Sequence, residues 1–288
     1  MTGAALRMSG AMPWSTLPTR GKEGARARHG HSACTLGGRI HVYAGRSAAT
    51  HDVPQAYLNS LIVLEPSGLH WQAVSTAMRP PARGFHSANA LPCDTRMLVF
   101  GGASPSPNAL SLAPIYLNDV WLYKSTVKAW EACSVDGEPP NGRAAHSAVL
   151  LAAHKPKLVV FGGTDGRAAF NDLWLLSIAT PRWEQVVTSG VVPSARCYHT
   201  CALGSGGTMM LFGGRDQRRM AGPSAYLLDL STRVWTEVRA EGDDSSAVPT
   251  RGRSSHSCVV HKEYAIIFGG KVSPEADHAE KKVADSTS

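Results

Sequence analysis

The chain has 288 residues, 43% of them hydrophobic, 18% charged and 7% aromatic, a composition ordinary for a soluble globular protein with a large core. Its formal net charge of +7 favours acidic partners through long-range steering. No block of five or six like charges marks a nucleic-acid-binding arm, and no stretch reaches the roughly 18 apolar residues of a membrane span.

In chain order, residues 1–10 read as a disordered N-terminal segment, and Met1 to Arg20 holds no apolar core of a secretion signal. Its Arg7 and Arg20 and its scarcity of acids leave a mitochondrial transit peptide open, but Trp14 already fits the repeat that follows. An Arg-x-x-His-Ser/Thr signature occurs at Arg28, Arg83, Arg143, Arg196 and Arg253, with the histidines His31, His86, His146, His199 and His256 spaced 55, 60, 53 and 57 residues apart. Each is followed by an apolar run ending in glycine: Ile40 to Gly45, Met97 to Gly102, Leu158 to Gly163, Met209 to Gly214 and Tyr264 to Gly270. A third element follows four of them, at Asn59, Asn118-Asp119, Asn171-Asp172 and, in altered form, Pro223-Ser224. A tryptophan lies twelve residues after each: Trp71, Trp130, Trp183 and Trp235.

Each unit therefore reads as four short strands. The first is small and innermost, and the second is Val/Ile/Leu/Phe-rich and buried on both faces. The glycine pair can take φ > 0 as the chain leaves the second strand. The third strand alternates, and the fourth carries the tryptophan that packs between sheets. One such sheet cannot bury its own faces, so copies must stack, and radial stacking gives an all-β propeller of four-stranded antiparallel blades. The expected blades are 28–75, 83–134, 143–188 and 196–240, with an incomplete fifth at 253–270. Residues 11–17, around Trp14, read as a lone fourth strand that would complete the last blade of a closed five-blade ring, unless the chain is shortened from a larger propeller. The polar tail 271–288 lacks both the Asn-Asp strand and a tryptophan, and its composition favours disorder.

The glycine pair, the aliphatic run, Asn-Asp-apolar-Trp and the spaced tryptophan resemble the kelch motif over residues 11–270. The Arg-x-x-His-Ser opening is similar to the kelch subgroup of Rab effectors, host cell factor and acyl-CoA-binding kelch proteins. The resemblance implies an interaction scaffold rather than an enzyme. It leaves a small-molecule or metal-dependent enzyme of the specifier-protein type as the alternative.

Strand order brings Arg28, Arg83, Arg143, Arg196 and Arg253 near the central channel on one face, rimmed by the long loops Arg46 to Leu58 and Ala103 to Leu117. Two readings stay open. The arginines form a basic ring that grips carboxylates of an acidic peptide or protein, or each is tied to an acid or carbonyl of the blades, with Asp119 and Asp172 as candidates.

The repeated histidines sit one per blade without ligand spacing, so no metal is expected. No catalytic motif and no cofactor site stands out; Glu275, Asp277 and His278 have the wrong spacing for the specifier iron triad. Six cysteines without a CxxC pair suit a reducing compartment, and a cytoplasmic protein is expected. Cys34, Cys201 and Cys258 read as small core residues.

Overall fold

A computed structural model describes residues 18–21, 27–49, 55–108, 110–152, 154–216, 224–238, 252–261 and 264–272. The expected strand over 11–17, the N-terminal segment 1–10 and the tail from 273 lie outside the described residues.

The first blade comprises β1 (Arg28–His29), β2 (Ser32–Leu36), β3 (Arg39–Ser47), β4 (Tyr57–Glu65) and β5 (His70–Val74). The second runs β6 (Ser87–Ala90), β7 (Arg96–Ser104), β8 (Ile115–Lys124) and β9 (Ala129–Ala132), and the third β10 (Ser147–Leu151), β11 (Lys157–Thr164), β12 (Ala169–Ser177) and β13 (Arg182–Val186). A short β14 (Ser189–Gly190) leads to the fourth, β15 (Thr200–Leu203), β16 (Thr208–Phe212), β17 (Ala225–Asp229) and β18 (Val234–Val238). The last unit holds β19 (Arg253–Ser254), β20 (Ser257–His261), β21 (Tyr264–Phe268) and β22 (Lys271–Val272). Within each complete blade the four main strands pair antiparallel in sequence order. The Gly204–Gly207 stretch turns β15 into β16 through one 3₁₀ turn, Ser205–Gly207.

The second strands are the core. Val99, Phe100, Val159, Val160 and Phe161 are fully buried, as the unbroken apolar runs require. On each Phe position packs the tryptophan of the next blade, with ring centroids 4.7 Å apart for Tyr43–Trp130, 4.9 Å for Phe100–Trp183 and 5.2 Å for Phe161–Trp235. Burying one such aromatic contributes about 1.5–3 kcal/mol, so these inter-blade contacts hold the stack.

The glycine pair makes a bulge between β3 and β4, β7 and β8, and β11 and β12. At Gly102, φ is +104°, and a Cβ there would sit 2.9 Å from the Gly84 carbonyl oxygen. Only glycine lets the two chain segments come this close.

Blades are also tied through the backbone. The N–H of Phe85 donates to Gly30, Ala145 to Phe85, Tyr198 to Ala145, and Ser255 to Tyr198, at 2.7–2.9 Å. This chain of bonds runs blade to blade around the axis. The donors occupy the second variable position of the Arg-x-x-His signature, and all four have left-handed backbone, φ 54–58°. That conformation costs non-glycine residues roughly 1–2 kcal/mol each, which the inter-blade bonds offset. Among the described residues no equivalent bond joins Gly30 to Ser255.

The segments entering outer strands keep one register. Asp136 bridges Arg182 and Ser189 pairs with Val234, both parallel, six residues after one tryptophan and one before the next. Arg20, six residues after Trp14 in sequence, makes the same parallel bridge to His70.

Candidate partner-binding face

The five signature arginines lie at the start of each innermost segment, beside the glycine pair of their own blade. One guanidinium nitrogen donates to the first residue of that pair every time. Arg28 Nη1 reaches Ala44 O at 3.1 Å, Arg83 Gly101 O at 2.9 Å, Arg143 Gly162 O at 2.9 Å, Arg196 Gly213 O at 3.0 Å and Arg253 Gly269 O at 3.1 Å. The second glycine, or Gly45 in the first blade, donates its N–H to the next blade's arginine carbonyl at 2.8–2.9 Å. The arginines and glycines thus form one lattice across neighbouring blades.

What completes each guanidinium depends on the third strand. Arg83 makes two bonds of 2.7 Å to Asp119, and Arg143 bonds of 2.7 and 2.8 Å to Asp172. Trp121 and Trp174 each add a 2.7 Å indole bond to the same carboxylates. Both arginine side chains are fully buried, so their charge is spent inside the blade. Burial pushes the Asp172 carboxyl up, but the Arg143 fork and Trp174 outweigh it and hold the carboxyl below its ordinary range.

In the first blade Ser60 replaces the aspartate and accepts from Arg28 at 3.1 Å. In the fourth, Ser224 stands at that place in the sequence, and the Asp216 carboxylate acts on the Arg196 charge. Arg196 lies 5.0 Å over the Tyr226 ring and bonds Ser194 Oγ at 3.1 Å.

Two further arginines follow the glycine positions of the first and fourth blades. Arg46 follows the first glycine pair and stacks 4.8 Å over Tyr57; Arg215 follows the fourth and stacks 5.0 Å over Tyr198. Arg46 and the three tyrosines Tyr57, Tyr116 and Tyr198 are half-buried, whereas Arg215 is exposed. Phe85 meets Tyr198 edge-on at 5.5 Å. Burial pushes Tyr57, Tyr116 and Tyr198 above the usual tyrosine range, helped by neighbouring phenols at Tyr57 and Tyr116 and by Cys197 at Tyr198, and opposed by Arg46 at Tyr57 and by Arg215 at Tyr198. Arg46 Nε is buried without a hydrogen-bond partner. The loop leading to Tyr116 exposes Leu110 and Leu112 fully, at 94% and 101%.

Sequence reasoning singled out the arginines that repeat and passed over Arg46 and Arg215. The signal was the residue after each glycine pair, which reads Arg46, Ala103, Thr164, Arg215 and Lys271.

The signature histidines tie blades together. His86 Nε2 lies 2.8 Å from Ser32 Oγ, His146 Nε2 2.9 Å from Ser87 Oγ, and His256 Nε2 2.8 Å from Thr200 Oγ1. At His199 the pattern breaks, because Ser147 Oγ donates instead to the His199 carbonyl at 2.8 Å. Burial, reinforced by the adjacent arginines, drives His146 and His199 down to about 3 and His256 to about 4. These imidazoles are neutral in use. Among the described residues no group of three or more His, Cys, Asp or Glu is placed to hold a metal, and no helix is long and apolar enough to cross a membrane.

The KLHDC2/KLHL20/DRC7 Kelch-repeats domain model matches residues 8–154 and 113–270. Acyl-CoA-binding domain-containing protein 5 of Arabidopsis thaliana is 28% identical over 265 residues, 88% of this chain and 38% of that protein. Kelch domain-containing protein 3 of Bos taurus is 31% identical over 205 residues, 70% of this chain and 51% of that protein. The flagellar outer-arm dynein alpha chain of Chlamydomonas reinhardtii is 30% identical over 234 residues, 76% of this chain and 5% of that protein. The chain thus spans about half, or less, of the length of these relatives.

Proposed function

The chain belongs to the kelch-repeat family, and from that premise we propose that it is a non-catalytic interaction scaffold whose basic loop face takes an acidic peptide or protein segment. The observation that carries this reading is the pair Arg46–Tyr57 and Arg215–Tyr198 at the mouth. Two guanidinium groups resting 4.8 and 5.0 Å over aromatic rings are pre-positioned for a carboxylate. The tyrosines add phenol donors, and Leu110 and Leu112 add an apolar contact at the rim. In this reading the five signature arginines divide the work. Arg83 and Arg143 fix the rim from inside, while Arg28, Arg196 and Arg253 add positive potential to the channel. A scaffold of this kind needs no cofactor, and the cytoplasm, with its acidic proteins and reduced thiols, is the compartment it suits.

The test is binding of a panel of acidic and charge-neutralised decapeptides to the full chain and to the Arg46→Ala/Arg215→Ala variant. Acidic peptides should bind in a salt-dependent way, and the variant should lose at least about tenfold in affinity with its melting curve unchanged. Equal binding of neutral peptides, or of acidic ones by the variant, overturns the reading.

A further inference from the structure

We infer that the seam between the third and fourth blades is a binding site for an unbranched alkyl chain ending in a carboxylate, a free fatty acid by chemical class. A cavity of about 460 Å³ opens there, within the roughly 300–1,000 Å³ of small-molecule sites. Its interior is aliphatic and comes from both blades, with Val159, Leu173, Leu175 and Val186 from the third and Leu228 from the fourth.

Register sets the depth of each lining residue. Lys157, Val159 and Phe161 of β11 lie opposite Ser177, Leu175 and Leu173 of β12, and Leu173 lies opposite Val186 of β13. Alternate residues of a strand share a face, so Lys157 stands at the entrance of the row that Val159 continues inward. Leu151, paired with Lys157, and Leu230, just past the end of β17, line the same entrance half-buried.

That entrance is cationic. Lys155 and Lys157 approach it from the third blade, with His154 beside them, and Arg233 from the turn between β17 and β18. Glu184 bonds Arg233 at 3.3 Å and offsets one of these charges, which leaves the two lysines in excess. An aliphatic slot with cations at its mouth is complementary to a chain apolar along its length and anionic at one end. A peptide backbone suits it poorly, because its N–H and C=O groups would go unpaired among these side chains.

The equivalent seams lack this combination. Between blades one and two, His41 stands where Val159 does, and Arg39, the counterpart of Lys157, is held by Glu65 at 2.5 Å, whereas Ser177 lies opposite Lys157. Between blades two and three, Leu91, the counterpart of Leu151, is 3% exposed. The slot is also separate from the loop face. Lys157 and Thr164, at the two ends of β11, are roughly 23 Å apart, and the loops rise from the Thr164 end.

Isothermal calorimetry of the full chain with hexanoate, octanoate and decanoate tests the site, with decanol and decyltrimethylammonium as uncharged and cationic controls. Decanoate should bind saturably at one site, and each methylene removed should weaken binding about fourfold. The cationic control should bind at least about tenfold more weakly than decanoate. Lys157→Gln should lower decanoate affinity severalfold and leave decanol unchanged, and Leu175→Trp, which fills the slot, should abolish binding of every chain. The head-group and chain-length series use the unaltered protein and stay decisive should Leu175→Trp melt early. Absence of saturable binding, equal affinity for the three head groups, affinity independent of chain length, or decanoate binding untouched by both substitutions overturns the inference. So does uptake of several chains per protein, which marks unspecific adsorption.

Discussion

Replacing Asp172 by alanine removes one side chain from a three-bond knot and leaves Arg143 buried with its charge unmatched. In the intact blade Asp172 accepts from Arg143 at 2.7 and 2.8 Å and from Trp174 at 2.7 Å, with the two side chains of the ion pair 0% and 22% exposed. Breaking a buried pair by deleting one partner costs roughly 3–5 kcal/mol. Because Asp172 keeps some contact with solvent, the lower end applies, about 3 kcal/mol. For a domain this size that corresponds to roughly 6–12 °C in Tm.

Asp119→Ala should cost less, since Asp119 is 35% exposed and more of its interaction is already screened. The fourth blade supplies the internal control, because Arg196 lives there over Tyr226 with a serine at the aspartate position. Adding Trp174→Tyr to Asp172→Ser should therefore recover about 1 kcal/mol relative to Asp172→Ala. Urea or thermal unfolding followed by circular dichroism reads all four chains. An Asp172→Ala variant within about 1 kcal/mol of the wild type would refute the view that these arginines are internal struts.

The buried histidines predict acid sensitivity. Their folded pKa values lie below the unfolded value, so the unfolded chain binds protons first. The stability they support is complete above about pH 6.5 and falls as pH drops toward 3, by about 2 kcal/mol for each of His146 and His199 at pH 5. Urea midpoints that stay level between pH 7 and 5 would contradict this. Cys93 is the thiol expected to react first. Its slight burial pushes it up, but bonds from Arg96 and Thr95 bring it down to about 7, whereas burial pushes Cys34 and Cys201 up to about 12. Iodoacetamide with mass spectrometry should label Cys93 first, and Arg96→Ala should slow that step severalfold. Faster labelling at Cys34 or Cys201 would show that the hydrogen bonds do not set the reactivity.

What the sequence made legible is what repeats. The glycine pairs, aliphatic runs and tryptophans report backbone geometry and inter-sheet packing, and those constraints recur in every blade because each blade solves the same burial problem. Asp119 and Asp172 could be named as partners of Arg83 and Arg143 because the pairing is local to one blade. Arg46, Tyr57, Tyr198 and Arg215 could not be assembled in the same way. They come from the first and fourth units, and nothing in their spacing tells that Arg46 lies near enough to Tyr198 to act on it electrostatically. The left-handed backbone at Phe85 and Tyr198 was equally hidden, since nothing in those residue types asks for it.

Under the proposed function, specificity would reside at positions that vary between blades. A position occupied identically in every blade is answering to the scaffold, and Arg83 and Arg143 illustrate this by donating inward to backbone carbonyls and to Asp119 and Asp172. A position that differs between blades is released from that demand and can answer to a partner. The residue after the glycine pair varies as Arg, Ala, Thr, Arg and Lys while its backbone pairing hardly changes: Arg46 with His29, Ala103 with Gly84, Thr164 with Ala144, Arg215 with Cys197 and Lys271 with Ser254. Five side chains are therefore carried on nearly equivalent backbone at one rim, three of them basic. Substituting this position alone should change which peptide binds while leaving the blades beneath it unaltered.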